Sequence, residues 1–107
     1  MARYVKTLEK LHVLESIYRN GDHNELVDRT LDKLIDLERE RAQREAQALQ
    51  TELSRFEQQY QLASEEFYQR FQQGLLGDAG DYFEWSACYD MYRTAWQRIQ
   101  ELTGEAA

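Results

Sequence analysis

The sequence predicts an all-α protein, a helical bundle built around one long, partly coiled-coil helix. A shorter helix precedes the long one, and an aromatic-rich helical pair follows it. The 107 residues include no proline and only 5 glycines, so few positions interrupt a helix. No stretch alternates apolar and polar residues in the way that a strand requires. Because this length is typical of one domain, we expect a single helical domain over 1–107.

The N-terminal helix is predicted over 3–19, where apolar side chains recur every three or four residues. Gly21 follows as a C-terminal cap, and Asp22 is placed to begin a capping box for the next helix. That helix is predicted over 23–61, because the segment contains neither glycine nor proline and is rich in strong helix formers. The second half of this helix carries a heptad seam made of Ala42, Ala46, Leu49, Leu53, Phe56 and Tyr60. This seam must pack on neighbouring helices of the same chain, on a second copy, or on both.

Two shorter helices are predicted in the C-terminal part of the chain. Ser64 has the character of an N-cap before two glutamates, and it begins a helix over 64–73. A glycine-rich loop follows over 74–80. The last helix is predicted over 81–103, with Asp81 as its N-cap.

The charge balance excludes some classes of partner. The net charge is −7, from 20 acidic and 13 basic residues, which argues against a general nucleic-acid binder. Residues 63–107 hold 3 basic and 8 acidic side chains, a net charge of −5, so most of the net negative charge of the chain lies there. The single cysteine can form no internal disulfide, and no apolar run approaches the ~20 residues of a membrane span. We expect a cytoplasmic protein that has no cofactor and no membrane association.

Three carboxylates around the glycine-rich loop are the main candidate for chemistry: Asp78, Asp81 and Glu84. Grouped carboxylate oxygens can bind a divalent cation, which makes a metal-dependent enzyme one alternative function. Their spacing does not match a calcium loop, however, and a capping box accounts for Asp81 and Glu84. Neither the histidines nor the cysteine have neighbours that suit a zinc site or an activated nucleophile. We therefore predict no catalytic residue and no metal site.

The long helix offers a second alternative, a helical nucleic-acid-associated regulator that binds phosphate through a basic strip. Acidic residues alternate with the basic ones here, which is typical of a solvated helix face with ion pairs between neighbouring turns. We therefore do not expect a nucleic-acid partner. The basic residues of the strip are Lys33, Arg39, Arg41 and Arg44.

The aromatic residues of the C-terminal part are the most unusual feature of the sequence. They can fill a core, or they can form an interface with another chain, where tyrosine and tryptophan are enriched. These aromatic residues are Phe67, Tyr68, Phe71, Tyr82, Phe83, Trp85, Tyr89, Tyr92 and Trp96. The predicted partner-binding residues combine several of them with the neighbouring carboxylates: Asp78, Asp81, Tyr82, Phe83, Glu84, Trp85, Tyr89, Tyr92 and Trp96.

Four segments carry recognisable motifs. They are residues 26–35, the Phe-Tyr-x-x-Phe at 67–71, the Gly-x-x-Gly-Asp at 74–78 and the Phe-Glu-Trp-Ser at 83–86. Together they resemble a family of short helical bacterial and archaeal proteins whose members sit in small two-gene units beside a short toxin-like protein. The resemblance implies an antitoxin-like role, in which a non-catalytic protein-interaction module binds and neutralises a small basic protein. The long seam adds the expectation of a homodimer.

Overall fold

The computed structural model describes residues 2–104, with side chains from residue 6 onwards, and this part of the chain contains helices and no strand. The four helices are α1 Ala2–Arg19, α2 Glu25–Tyr60, α3 Ser64–Gln72 and α4 Gly80–Gly104. The predicted all-α bundle, with one long helix, a shorter helix before it and a helical pair after it, is confirmed. Residue 1 and residues 105–107 of the predicted domain lie outside the described residues.

The chain divides into two compact units, Met1–Lys33 and Leu34–Ala107, and the division falls inside α2. The N-terminal unit contains α1 and the first turns of α2. The C-terminal unit contains the rest of α2 together with α3 and α4. One continuous helix, α2, runs through the boundary between the two units. The single domain expected over 1–107 stays a prediction.

The turn between α1 and α2 follows one local prediction and corrects another. Gly21 has a φ of +94°, the left-handed conformation that ends α1 as predicted. Asn24 caps α2, because its side-chain oxygen accepts hydrogen bonds from the backbone N–H groups of Leu26 and Val27 at 2.8 and 3.3 Å. The predicted cap at Asp22 is therefore wrong. The cap residue lies two positions further along the chain, and the helix begins correspondingly later.

The N-terminal unit hides little apolar surface. None of its described side chains is fully buried. The Tyr18 hydroxyl links its two helical segments, lying 2.9 Å from the carbonyl oxygen of Asn24 and 3.2 Å from the Asp28 carboxylate. Half-buried apolar side chains accompany this contact at Leu14, Val27 and Leu31. Four other apolar side chains on α1 are exposed, namely Leu8, Leu11, Val13 and Ile17.

The C-terminal unit contains the core, which consists of two clusters. The larger cluster is made of Leu53, Phe56, Phe67, Trp85 and Cys88. The smaller one is made of Ala42, Ala46, Ala95 and Ile99. Both clusters join the heptad seam of α2 to residues of the later helices. The seam is therefore packed inside the chain, which is one of the arrangements that the sequence left open.

Ser64 does not cap α3 as predicted. Ala63 takes the cap position and makes no side-chain hydrogen bond there. The Glu57 carboxylate, from the last turn of α2, accepts a hydrogen bond from the Ser64 backbone N–H at 2.9 Å. The Ser64 hydroxyl is buried and accepts a hydrogen bond from the indole Nε1–H of Trp85 at 2.9 Å. A tertiary partner therefore uses the oxygen that the sequence assigned to local capping.

Candidate interaction surface

Trp85 is the centre of the core. It is 0% exposed, and its ring lies parallel to that of Phe67, with centroids 3.8 Å apart and an interplanar angle of 5°. The rings of Phe56 and Tyr60, one turn apart on α2, stack on the same indole at 5.6 and 5.5 Å. Ring contacts at the separations of Phe56 and Tyr60 stabilise a core beyond simple area burial. Trp85 therefore belongs to the interior, and it drops out of the predicted partner-binding surface.

The exposed aromatic residues of the predicted surface lie in two separate places. Phe83 is 65% exposed and touches Phe71 edge to face at 5.6 Å, close to the loop between α3 and α4. Trp96 is 45% exposed and touches Tyr92 edge to face at 6.4 Å. Thirteen positions separate Phe83 from Trp96, which corresponds to about 20 Å along α4 and roughly opposite sides of it. One flat partner surface cannot cover both without wrapping around the helix.

The other predicted residues fall into two classes of exposure. Glu84 and Asp78 are exposed, as their charge leads one to expect. Half-buried positions are held by Asp81, Tyr82, Tyr89 and Tyr92. Tyr89 and Tyr92 line the same depression as Trp96, so this side of α4 combines three of the predicted aromatic residues, whereas Tyr82 packs against Tyr60 and Phe67.

A chain of depressions follows α4 on the side of Trp96. One depression, of about 630 Å³, lies between α3 and α4 and is lined by Tyr68, Tyr89 and Arg93 among others. The next, of about 490 Å³, continues along α4 to Trp96. Two smaller ones, of about 310 and 250 Å³, lie between α2 and α4 and share Gln50. Neighbouring depressions have lining residues in common, so they form one grooved surface.

We call the α2–α4 part of this surface the Trp96 groove, and its residues are Gln43, Gln47, Gln50, Tyr92 and Trp96. Sequence reasoning missed its glutamines. Their spacing of four and three residues repeats that of the heptad seam, shifted by one position. That repeat was the available signal, because a polar row beside a row of small seam residues marks the edge of a helix-packing face.

The charge of the protein is divided unequally between the two units. Residues 34–107 hold 7 basic and 14 acidic side chains, a net charge of −7, whereas residues 1–33 hold 6 of each and are neutral. The grooved surface shares this acidity. The Asp90 carboxylate accepts a hydrogen bond from the Tyr68 hydroxyl at 2.6 Å, and Glu65 lines two of the depressions. Arg93 offsets part of it while lying over the Tyr68 ring, 5.4 Å from the centroid.

The carboxylates around the loop do not gather into one site. Asp81 lies in the first turn of α4, which begins one residue earlier, at Gly80, so Asp81 is not the N-cap. Its carboxylate accepts hydrogen bonds from the Tyr60 hydroxyl at 2.7 Å and from Gln59 at 3.3 Å, and it ties α4 to the end of α2. Within residues 2–104, no three side chains of His, Cys, Asp or Glu are placed to hold a metal ion together.

The basic strip of α2 is partly used inside the C-terminal unit. Arg39 donates hydrogen bonds to the Leu102 carbonyl oxygen at 2.7 Å and to the Thr103 hydroxyl at 3.2 Å. It also pairs with Asp36 at 3.0 Å. A guanidinium at the carboxyl end of a helix satisfies carbonyl groups that have no partner within the helix. Arg39 therefore fastens the end of α4 rather than facing a phosphate.

The Tyr60–Asp81 contact predicts a loss of stability at high pH. Its hydrogen bond, followed by partial burial, raises the pKa of the Tyr60 phenol, and the bond to Asp90 does the same to the pKa of Tyr68. The folded chain then holds these protons where the unfolded chain, with tyrosine pKa values near ~10, releases them. This stabilisation is complete below about pH 10 and is lost as the pH rises through the folded-state pKa values.

The measurement is the urea midpoint between about pH 8 and 11, which we expect to fall steeply above about pH 10. A Tyr60→Phe/Tyr68→Phe variant should show a shallower fall, because it lacks both phenols. An equally steep fall in that variant would contradict the assignment.

Comparisons with protein-family models, with curated proteins and with solved structures find no match to this chain. No helix within residues 2–104 combines the length and the apolar character that crossing a membrane requires. The surface itself therefore provides the starting point for a functional proposal.

Proposed function

We propose that the chain is a non-catalytic, antitoxin-like interaction module whose C-terminal unit binds and neutralises a small basic protein. The observation that carries the proposal is the coincidence of two properties. The unit that holds the full −7 charge is also the one that exposes Trp96 beside a groove. An acidic surface steers a basic partner and complements it, while an exposed tryptophan supplies anchoring energy.

Two contacts within the C-terminal unit favour this proposal over the metal-dependent enzyme and the nucleic-acid-associated regulator. The Asp81 carboxylate already has a structural role, because its Oδ2 accepts hydrogen bonds from Tyr60 and Gln59 and joins α4 to α2. Arg39 is engaged at the end of α4, which takes one cation from the strip that the nucleic-acid alternative requires. The resemblance to proteins encoded beside short toxin-like genes supports the antitoxin-like part. A cytoplasmic location also belongs to the proposal.

The test is co-expression of the chain with the product of the neighbouring gene. We expect a stoichiometric complex that survives affinity purification and size-exclusion chromatography, and that weakens as the salt concentration rises. An unrelated small basic protein serves as the control and should not co-purify. A monodisperse chain that ignores its neighbour's product would contradict the proposal.

We also infer that a homodimer forms through the N-terminal unit, with a second copy covering the side of α1 that exposes Leu8 and Leu11. Leu8 and Leu11 lie on one side of this helix, and Val13 and Ile17 on another, so the apolar surface extends well around it. A helix that is apolar on several sides is usually covered by more than one neighbour. The neutral charge of this unit allows self-association, whereas the −7 of the C-terminal unit opposes it.

Light scattering coupled to size exclusion should give twice the chain mass of 12.8 kDa. Leu11→Lys places a charge in the apolar surface and should leave a monomer. Glu9→Lys, at an exposed position on another side of α1, should leave the dimer intact. A monomeric unsubstituted chain at tens of micromolar would rule out this inference.

A further inference from the structure

We propose that the Trp96 groove receives a single amphipathic helix of the partner, with a basic polar face and an apolar stripe. This inference rests on the proposed function, since the helix would belong to the small basic protein. It adds the mode of binding, in which a helix lies lengthwise between α2 and α4.

The short helix α3 leaves part of α4 uncovered. This helix has 9 residues and α4 has 25, corresponding to about 14 and 38 Å. The amino-terminal half of α4 therefore packs in a three-helix arrangement, in which α3 supplies Phe67 against Trp85. Trp96 is eleven positions further on, just over three full turns, so it lies on nearly the same side of α4 as Trp85. Trp85 is covered and Trp96 is open because α3 does not extend that far.

The core beneath the groove is made mostly of alanine. The cluster there consists of Ala42, Ala46, Ala95 and Ile99. These small side chains let α2 and α4 approach closely, but they leave little apolar volume between the helices. The four side chains are buried, but they come from α2 and α4 only, and no residue of α3 belongs to this cluster. Ala46 and Ile99 also line the open groove with Trp96, so a third helix would rest directly on the existing core.

The charged residues around the groove indicate which kind of helix would bind there. Glu57 and Glu65 line one end of the α2–α4 surface, and Asp90 lies beside Tyr92 in the neighbouring depression, where Arg93 is the opposing cation. The glutamine side chains along α2 are neutral, and they can form hydrogen bonds with polar side chains of a bound helix. A helix carrying lysine or arginine complements this border, whereas an acidic C-terminal unit of a second copy would be repelled.

The experiment uses the full chain and a synthetic helix as the probe. The peptide has about 18 residues of leucine, alanine and lysine, with leucines along one face, which is ~27 Å of helix. Titration followed by calorimetry and circular dichroism should show saturable binding at one site per chain and a gain in helix content. A matched peptide with glutamate in place of lysine should bind at least tenfold more weakly.

Two double variants locate the site. Gln47→Lys/Gln50→Lys adds two charges inside the groove and should weaken binding of the lysine peptide at least tenfold. Ala48→Lys/Thr51→Lys adds the same two charges at exposed positions of α2 outside the groove, and should change the affinity less than threefold. Absence of binding, or equal losses in both variants, would overturn the groove assignment.

The co-expressed partner separates this inference from the proposed function. A complex that forms and is weakened by the groove pair alone supports both. If it tolerates the groove pair, the helical docking mode is wrong while the proposed function stands. Peptide binding at the groove without any complex would support the docking mode and contradict the proposed partner.

Discussion

Trp85→Ala is expected to lower the free energy of unfolding of the C-terminal unit by about 3–5 kcal/mol. The indole is fully buried and stacks on rings from α2 and α3, so its removal leaves a cavity between three helices. It also removes the donor to the buried Ser64 hydroxyl, which loses its partner. Small domains have about 5–15 kcal/mol of stability in all, so this one change takes a large share of it.

Urea denaturation followed by circular dichroism and by tryptophan fluorescence measures this loss, since both tryptophans lie in the C-terminal unit. Leu75→Ala is the control, because Leu75 is 67% exposed and its truncation should cost less than about 0.5 kcal/mol. Trp85→Phe retains a stacking ring without the N–H donor and should fall between the two. A loss below about 1 kcal/mol for Trp85→Ala would show that the stack contributes far less than a buried aromatic core normally does.

The all-α fold could be predicted because it depends on local properties of the chain. The absence of proline, the positions of the glycines and the period of the apolar residues each favour helix whatever the tertiary packing. Gly21 is the clearest case. A residue in the left-handed conformation at a helix end is most often glycine, and Gly21 stands three residues after Tyr18, the last apolar position of the predicted helix.

The roles of Ser64 and Asp81 could not be predicted in the same way. Each stands where a cap belongs by sequence, since a short polar side chain precedes a helical segment. In the structure each oxygen is used by an aromatic side chain 21 residues away, Trp85 for Ser64 and Tyr60 for Asp81. A local pattern does not distinguish an oxygen that faces its own backbone from one that faces a distant donor.

The distinction between core and surface aromatics has the same origin. Trp85 and Trp96 lie on almost the same side of α4, so helical periodicity assigns both to a single stripe. Their exposures of 0% and 45% differ because of the length of another helix, α3. The sequence therefore located the aromatic-rich acidic segment, but it could not show which of its rings remain available to a partner.

Trp96→Ala should weaken the complex with the small basic partner about 30-fold, the equivalent of ~2 kcal/mol for an interface anchor. The indole lies beside a groove, where a partner can surround it and exclude water, which is the setting in which tryptophan contributes most. Phe83→Ala is the matched control from the same predicted surface. Phe83 is more exposed, but it lies on the opposite side of α4, so its truncation should change the affinity less than threefold.

Calorimetric titration of the purified partner into each variant gives the two affinities, and thermal unfolding checks that both variants remain folded. Because both aromatic residues are exposed and neither belongs to a core cluster, neither truncation removes a part of the buried core. The comparison therefore reports on the partner's position rather than on folding. A complex that is weakened by Phe83→Ala and indifferent to Trp96→Ala would place the partner beside the loop between α3 and α4. The binding role of the acidic C-terminal unit would then stand, and the Trp96 groove would not be its contact surface.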